Sequence, residues 1–174
     1  FYWYSDGKYS KQRPPGRPIY NSIGTPTANI AKWCDIELQP LVKNLPSYIK
    51  DDNEFLRKLD EINSRYVIPE NSFLVTWDVK SLYTNIPHKE GLEAINYFLQ
   101  RSGTRKEKVG VILEFMEVIL TGNVFKFGSD YFIQRSGTAM GSSIGPVLAN
   151  IFMGYLEEQM LSESKKKPLV WFRY

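Results

Sequence analysis

From Ser136 to Leu156 the chain carries no charged residue, so it has to place this long stretch where water does not reach. A membrane span would do so, but Gly137, Gly141, Gly145, Pro146, Asn150 and Gly154, with several hydroxyls between them, interrupt it too often for a continuous apolar helix. The remaining solution is a loop of small residues followed by a buried helix. Pro146 suits a first helical position, and Leu148, Ile151, Phe152, Tyr155 and Met160 follow at helical spacing. Such a helix has to be wrapped by others. With 43% hydrophobic and 24% charged residues over 174 positions, there is enough apolar material for one domain to do it.

The wrapping elements can be read in turn. Thr25-Pro26 reads as an N-cap followed by a first helical proline, opening a helix through Ile30, Ala31, Cys34, Leu38 and Leu41 that Pro40 bends or ends. Asp51 with Glu54 reads as a capping box for a second helix, whose Phe55, Leu59, Ile62 and Tyr66 make a core-facing stripe. Phe73 to Asp78 is rich in β-formers and reads as a strand, and Pro87 then starts a helix with Leu92, Ile95 and Leu99 on one face. Another helix runs from about Lys108 to Gly122, burying Val109, Ile112, Leu113, Met116 and Leu120. Val124–Phe127 and Tyr131–Ile133, joined through Gly128-Ser129-Asp130, form a hairpin, and Leu169–Tyr174 reads as a last strand. Glu157 and Glu158 read as a solvated pair.

The formal charge of +3 is gathered at the start, where Lys8, Lys11, Arg13 and Arg17 face only Asp6 and alternate with Tyr2, Trp3, Tyr4 and Tyr9. Two readings stay open for this segment: a solvated basic loop, or a surface that grips phosphates and stacks on bases. Cys34 has no partner for an internal disulfide, and no N-terminal basic-then-apolar stretch reads as a signal peptide, so an intracellular setting is expected. His88 is the single histidine, which rules out a His-based nucleophilic triad or zinc cluster within these residues.

Asp78, placed at a strand's end, has two roles open to it: satisfying turn amides, or offering hard oxygen to a cation such as Mg²⁺. The residues around it, Thr-Trp-Asp-Val-Lys-Ser-Leu-Tyr-Thr-Asn-Ile-Pro over 76–87, resemble motif A of reverse transcriptases in the form carried by Penelope-like retroelements. Upstream, Gly16-Arg-Pro-Ile19 and Ser22-Ile-Gly-Thr-Pro-Thr27 are similar to that family's fingers motifs. Downstream, Gly137-Thr-Ala-Met-Gly-Ser-Ser-Ile-Gly-Pro-Val-Leu-Ala-Asn150 resembles motif B, and Phe172-Arg-Tyr174 resembles the start of motif C. All four stand in the family's order along the chain.

The resemblance implies an α+β right-hand polymerase, fingers and partial palm. Residues 1–72 would be the N-terminal fingers, 73–100 the palm with motif A, 101–136 a connection with the hairpin, and 137–174 the palm with motif B and a truncated motif C strand. It implies an RNA-directed DNA polymerase adding dNTPs to a DNA primer on an RNA template, with Mg²⁺ or Mn²⁺, in the nucleus and away from membranes. Asp78 and the Val79 carbonyl would hold metal. Arg17, Tyr83, Met140 and Gly141 would bind nucleotide, with the Tyr83 ring crowding any 2′-hydroxyl. Lys8, Lys11, Gly137, Gly145 and Pro146 would meet nucleic acid. The family's paired aspartates would come directly after Tyr174, so the chain is expected to be a fragment and inactive alone. A catalytically dead nucleic-acid-binding remnant is the alternative.

This sequence departs from the wider family at Met140, where many relatives have Gln, and at Gly145, where many have Ser. The family's Pro-Lys-x-His-Lys pattern is represented only by Gly7-Lys-Tyr-Ser-Lys11. Tyr48-Ile-Lys-Asp51-Asp52 imitates a catalytic Tyr-x-Asp-Asp turn with one residue too many, and Asp51 and Asp52 read instead as helix caps.

Overall fold

The computed structural model describes residues 2–4 and 17–174; Lys8, Lys11 and the Arg17 side chain lie outside the described residues. The order is β1 (Tyr2–Tyr4), β2 (Arg17–Ile19), α1 (Ala28–Lys43), α2 (Asp52–Arg65), α3 (Leu82–Asn85), α4 (His88–Arg101), α5 (Lys106–Thr121), β3 (Val124–Phe127), β4 (Asp130–Ile133) and α6 (Ile144–Glu163). β1 and β2 pair antiparallel with Trp3 opposite Pro18, and β3 and β4 form a second, separate antiparallel pair with Phe125 opposite Phe132.

The core is helical. α6 packs on α1 and α4, and α5 packs on the same two helices, closing a four-cornered arrangement. Its apolar centre is built from Cys34, Leu38, Ile95, Ile112, Met116 and Ile151, each fully buried. The uncharged stretch thus lies where its composition demands. Ile144, Val147, Leu148 and Ile151 of α6 are buried, and each such side chain contributes about 1.5–3 kcal/mol over an exposed position.

Several expectations need correction. Phe73–Asp78 forms no strand and no other regular element, with Phe73 at 91% and Leu74 at 95% exposure. A strand exists only through a ladder to a neighbour, and none of the described residues supplies one. Leu169–Tyr174 likewise makes a single parallel bridge, Arg173 to Tyr48, rather than a strand. Helix α2 buries no residue. Its stripe meets only a single-chain layer, with the Phe55 and Phe172 rings 6.3 Å apart and Lys58 Nζ 5.4 Å from the Phe172 centroid.

Helix starts also shift. Thr25 closes a turn, its Oγ1 donating to the Ser22 carbonyl at 2.9 Å, and Thr27 precedes the first residue of α1. α1 continues past Pro40 to Lys43. Ser143 precedes α6, so Pro146 is its third residue, where a missing N–H still costs nothing because the first turn lacks acceptors. Met160 is 45% exposed, because the end of α6 outruns the core. Glu157 is buried rather than solvated; its partners are described below.

Cys34 is fully buried, and that burial, with Glu37 nearby, pushes its thiol up to about 11. The folded state then keeps a proton that the unfolded chain releases near pH 9. Stability contributed by Cys34 is therefore complete below about pH 9 and falls by up to about 2–3 kcal/mol as pH rises toward 11. Urea unfolding of the protein and of Cys34→Ala at pH 8 and pH 11 should show the parent losing more; equal losses would refute the assignment.

Candidate active site

Three stretches distant in sequence meet at one place: the exit of β2, the turn around α3, and the loop entering α6. The Tyr20 amide donates to the Met140 carbonyl at 2.7 Å, and Ser22 Oγ donates to the Gly141 carbonyl at 3.0 Å. On the other side of the loop, the Thr138 amide donates to the Tyr83 carbonyl at 2.6 Å and the Gly137 amide to Ile86 at 3.1 Å. His88 Nε2 lies 2.8 Å from the Gly137 carbonyl. A carbonyl only accepts, so Nε2 carries the proton. The loop entering α6 is thus tied on both flanks, to the segment leaving β2 and to the turn around α3.

The glycines make these approaches possible. Gly137 has φ +72° and Gly141 φ +105°, both in the region that side chains resist. A Cβ on Gly137 would collide with the Tyr83 carbonyl and fall 2.6 Å from Thr84 Cα, and one on Gly141 would collide with the Tyr20 carbonyl. At Gly145 a Cβ would sit 3.2 Å from Tyr83 Cε1. The Tyr83 ring is thus seated on the first turn of α6. Pro146, one residue further, is exposed.

Beside this junction lies a groove of about 300 Å³ lined by Tyr20, Thr84, Asn123, Phe125, Thr138 and Met140 among others. One wall is the β3–β4 hairpin, held at its base by Asn123 Nδ2 donating to Gln134 Oε1 at 2.8 Å. The groove is mostly apolar, with amides and hydroxyls at its edge.

Asp78 and Val79 are exposed, on the irregular segment that precedes the junction. Trp77 is the anchor of that segment: its ring centroid is 5.1 Å from that of Trp171. Between Asp78 and Tyr83 the backbone turns through Ser81, a non-glycine residue at φ 56°, ψ 40°, a conformation costing about 1–2 kcal/mol. Among the described residues no group of three or more His, Cys, Asp and Glu side chains is poised around a metal. Asp78 with the Val79 carbonyl offers two hard oxygens, which suits Mg²⁺, an ion that completes its shell with waters and substrate phosphates.

Asp51 behaves as the cap expected of it, Oδ1 accepting from the Glu54 amide at 2.9 Å, while Glu54 Oε2 accepts from the Lys50 amide at 2.8 Å. Sequence reasoning did not single out the His88 bond or the partners of Glu157. A lone histidine or glutamate carries no periodic signal of its own, and both meet residues more than ten positions away. No family model, curated protein or solved structure matches this chain. Among the described residues no helix is long and apolar enough to cross a membrane.

Proposed function

We propose that this chain is the fingers and partial palm of an RNA-directed DNA polymerase of the Penelope-like retroelement type, using Mg²⁺ and working in the nucleus. The observation that carries the reading is the junction just described. Four motifs could be strung along a chain by chance, but here Tyr20–Ser22, Tyr83–His88 and Gly137–Gly145 are bonded to one another beside one groove.

In this reading the groove takes the templated base pair, with Met140 and Gly141 against the incoming dNTP and Gly137, Gly145 and Pro146 near the template–primer. Tyr83 limits the space beside the sugar, and its seating on Gly145 keeps the ring from swinging away. Arg17 meets the triphosphate, opposing its charge. Asp78 and the Val79 carbonyl would hold Mg²⁺, which would supply charge to acidify a primer hydroxyl and to neutralise the departing pyrophosphate. The residues of this chain bind and orient; phosphoryl transfer asks little more of a protein than positioning and charge.

Tyr83→Val tests the reading directly, in a polypeptide that continues through the family's paired aspartates. Primer extension should show the preference for deoxy- over ribonucleotides reduced by at least about tenfold, the effect of about 1.4 kcal/mol of lost steric discrimination. An unchanged ratio would make Tyr83 a packing residue and sink the sugar-pocket assignment. A parent polypeptide that binds duplex without extending primers would establish the nucleic-acid-binding remnant instead.

A further inference from the structure

We propose that Arg173 is a positioning residue for Asp78, pinning the 169–174 segment so that Trp171 holds Trp77 beside that carboxylate. The inference rests on the polymerase reading for its functional consequence, though its structural half stands apart from it.

Arg173 is fixed from three sides. Its Nε donates to Glu157 Oε1 at 2.7 Å, Nη1 donates to Asn150 Oδ1, and Nη2 donates to the Asn150 carbonyl at 3.1 Å. Ser47 Oγ donates to the other oxygen of Glu157, so both carboxylate oxygens are engaged. Asn150 and Glu157 are seven residues apart on α6 and so share a face two turns apart. The backbone adds two bonds: the Arg173 amide donates to Ser47 at 2.7 Å, and the Ile49 amide donates to the Arg173 carbonyl at 2.9 Å. The side chains of Arg173 and Glu157 are only 15% and 6% exposed.

A buried ion pair is a poor device for stability, since apolar packing of the same volume does as well or better. What it adds is register. The 169–174 segment has one bridge and no ladder, and its Leu169 is 57% exposed, so little else prevents it from sliding along α6. Trp171 stands two residues before Arg173, so what fixes Arg173 also fixes the short stretch of backbone that carries Trp171. A slip of the segment along α6 would carry Trp171 away from Trp77. Trp171 has its indole Nε1 buried and its ring against Trp77, whose chain neighbour is Asp78. Residues 73–79 are all exposed, Trp77 at 72%, and the ring contact of Trp77 with Trp171 links them to the 169–174 segment, so the fork of Arg173 sets where the Asp78 backbone runs. Arg suits the task because its planar fork fixes an orientation, which a lysine ammonium does not.

The test uses two variants, Arg173→Lys and Glu157→Gln, the second nearly isosteric in case the first does not fold. Two indoles 5.1 Å apart and tilted by 57° give an exciton couplet in circular dichroism, which Trp77→Phe identifies by abolishing it. In this 174-residue chain, either folded variant should lose at least about half of the couplet while still unfolding cooperatively. In a polypeptide continuing through the family's paired aspartates, the Mg²⁺ concentration for half-maximal extension should rise about tenfold, the usual scale for a group that orients a metal ligand, with the dNTP KM within about twofold of the parent. A full couplet in a folded variant overturns the proposal. So does a lost couplet with unchanged Mg²⁺ dependence, because Trp77 would then not govern Asp78. A parent that fails to polymerise would refute the polymerase reading, and the couplet would still decide whether Arg173 holds Trp77.

Discussion

Gly137→Ala is expected to destabilise the protein by about 2–5 kcal/mol, whereas Gly128→Ala should cost only about 1–2 kcal/mol. Both glycines have positive φ, +72° and +64°, so both replacements incur the same left-handed strain of about 1–2 kcal/mol. Only Gly137 adds a collision. Its Cβ would run into the Tyr83 carbonyl, while at Gly128 nothing lies within 4 Å. The Tyr83 carbonyl cannot retreat freely, because the Thr138 amide holds it at 2.6 Å. Overpacking of this kind adds about 1–3 kcal/mol. For a chain of this size the difference should appear as a melting temperature several degrees lower in Gly137→Ala than in Gly128→Ala. Equal melting temperatures would mean that the loop and the α3 turn are not joined as described.

The same contrast between local and distant causes separates what the sequence discloses from what it hides. Helices α1, α4 and α5 could be read because each has an apolar face at a 3.6-residue period that a neighbouring helix covers. The β3–β4 hairpin could be read because Gly128 supplies its turn locally. Phe73–Asp78 misleads for the opposite reason: β-forming composition says that a segment fits a sheet, and says nothing about whether a neighbouring strand is there to pair with it. Helix α2 has the same apolar period as α1, and the difference between buried Leu38 and exposed Phe55 and Tyr66 lies in what packs against them. Period alone cannot reveal that. Glu157 is the clearest case. Beside Glu158 it looks like one of two surface charges, and its burial depends on Ser47, 110 residues upstream, and Arg173, 16 downstream. At the candidate site, motif resemblance located the glycines and Tyr83. The bonds joining them to Tyr20, Ser22 and His88 are side-chain and turn contacts with no sequence period.

Under the proposed polymerase reading, the largest effect on activity is expected from Asp78→Asn, in a polypeptide extended through the paired aspartates that this reading places next. The change removes one negative charge and almost no volume. Asp78 is exposed and makes no hydrogen bond or ion pair among the described residues, so the fold has nothing to lose with the charge. Melting temperature should stay within a degree or two, as for other surface substitutions with effects under about 0.5 kcal/mol. Nucleotide addition should fall by more than about a thousandfold, since that factor corresponds to about 4 kcal/mol of transition-state stabilisation, within what metal-held charge supplies. The two readouts have to separate. If both stability and activity collapse, Asp78 is a structural carboxylate satisfying the turn through Ser81, the first of the two roles its position leaves open. If activity stays within about tenfold of the parent, other carboxylates hold the ions, and the assignment of Asp78 and Val79 as metal ligands fails even though the junction of Tyr83 with the Gly137–Gly145 loop would remain.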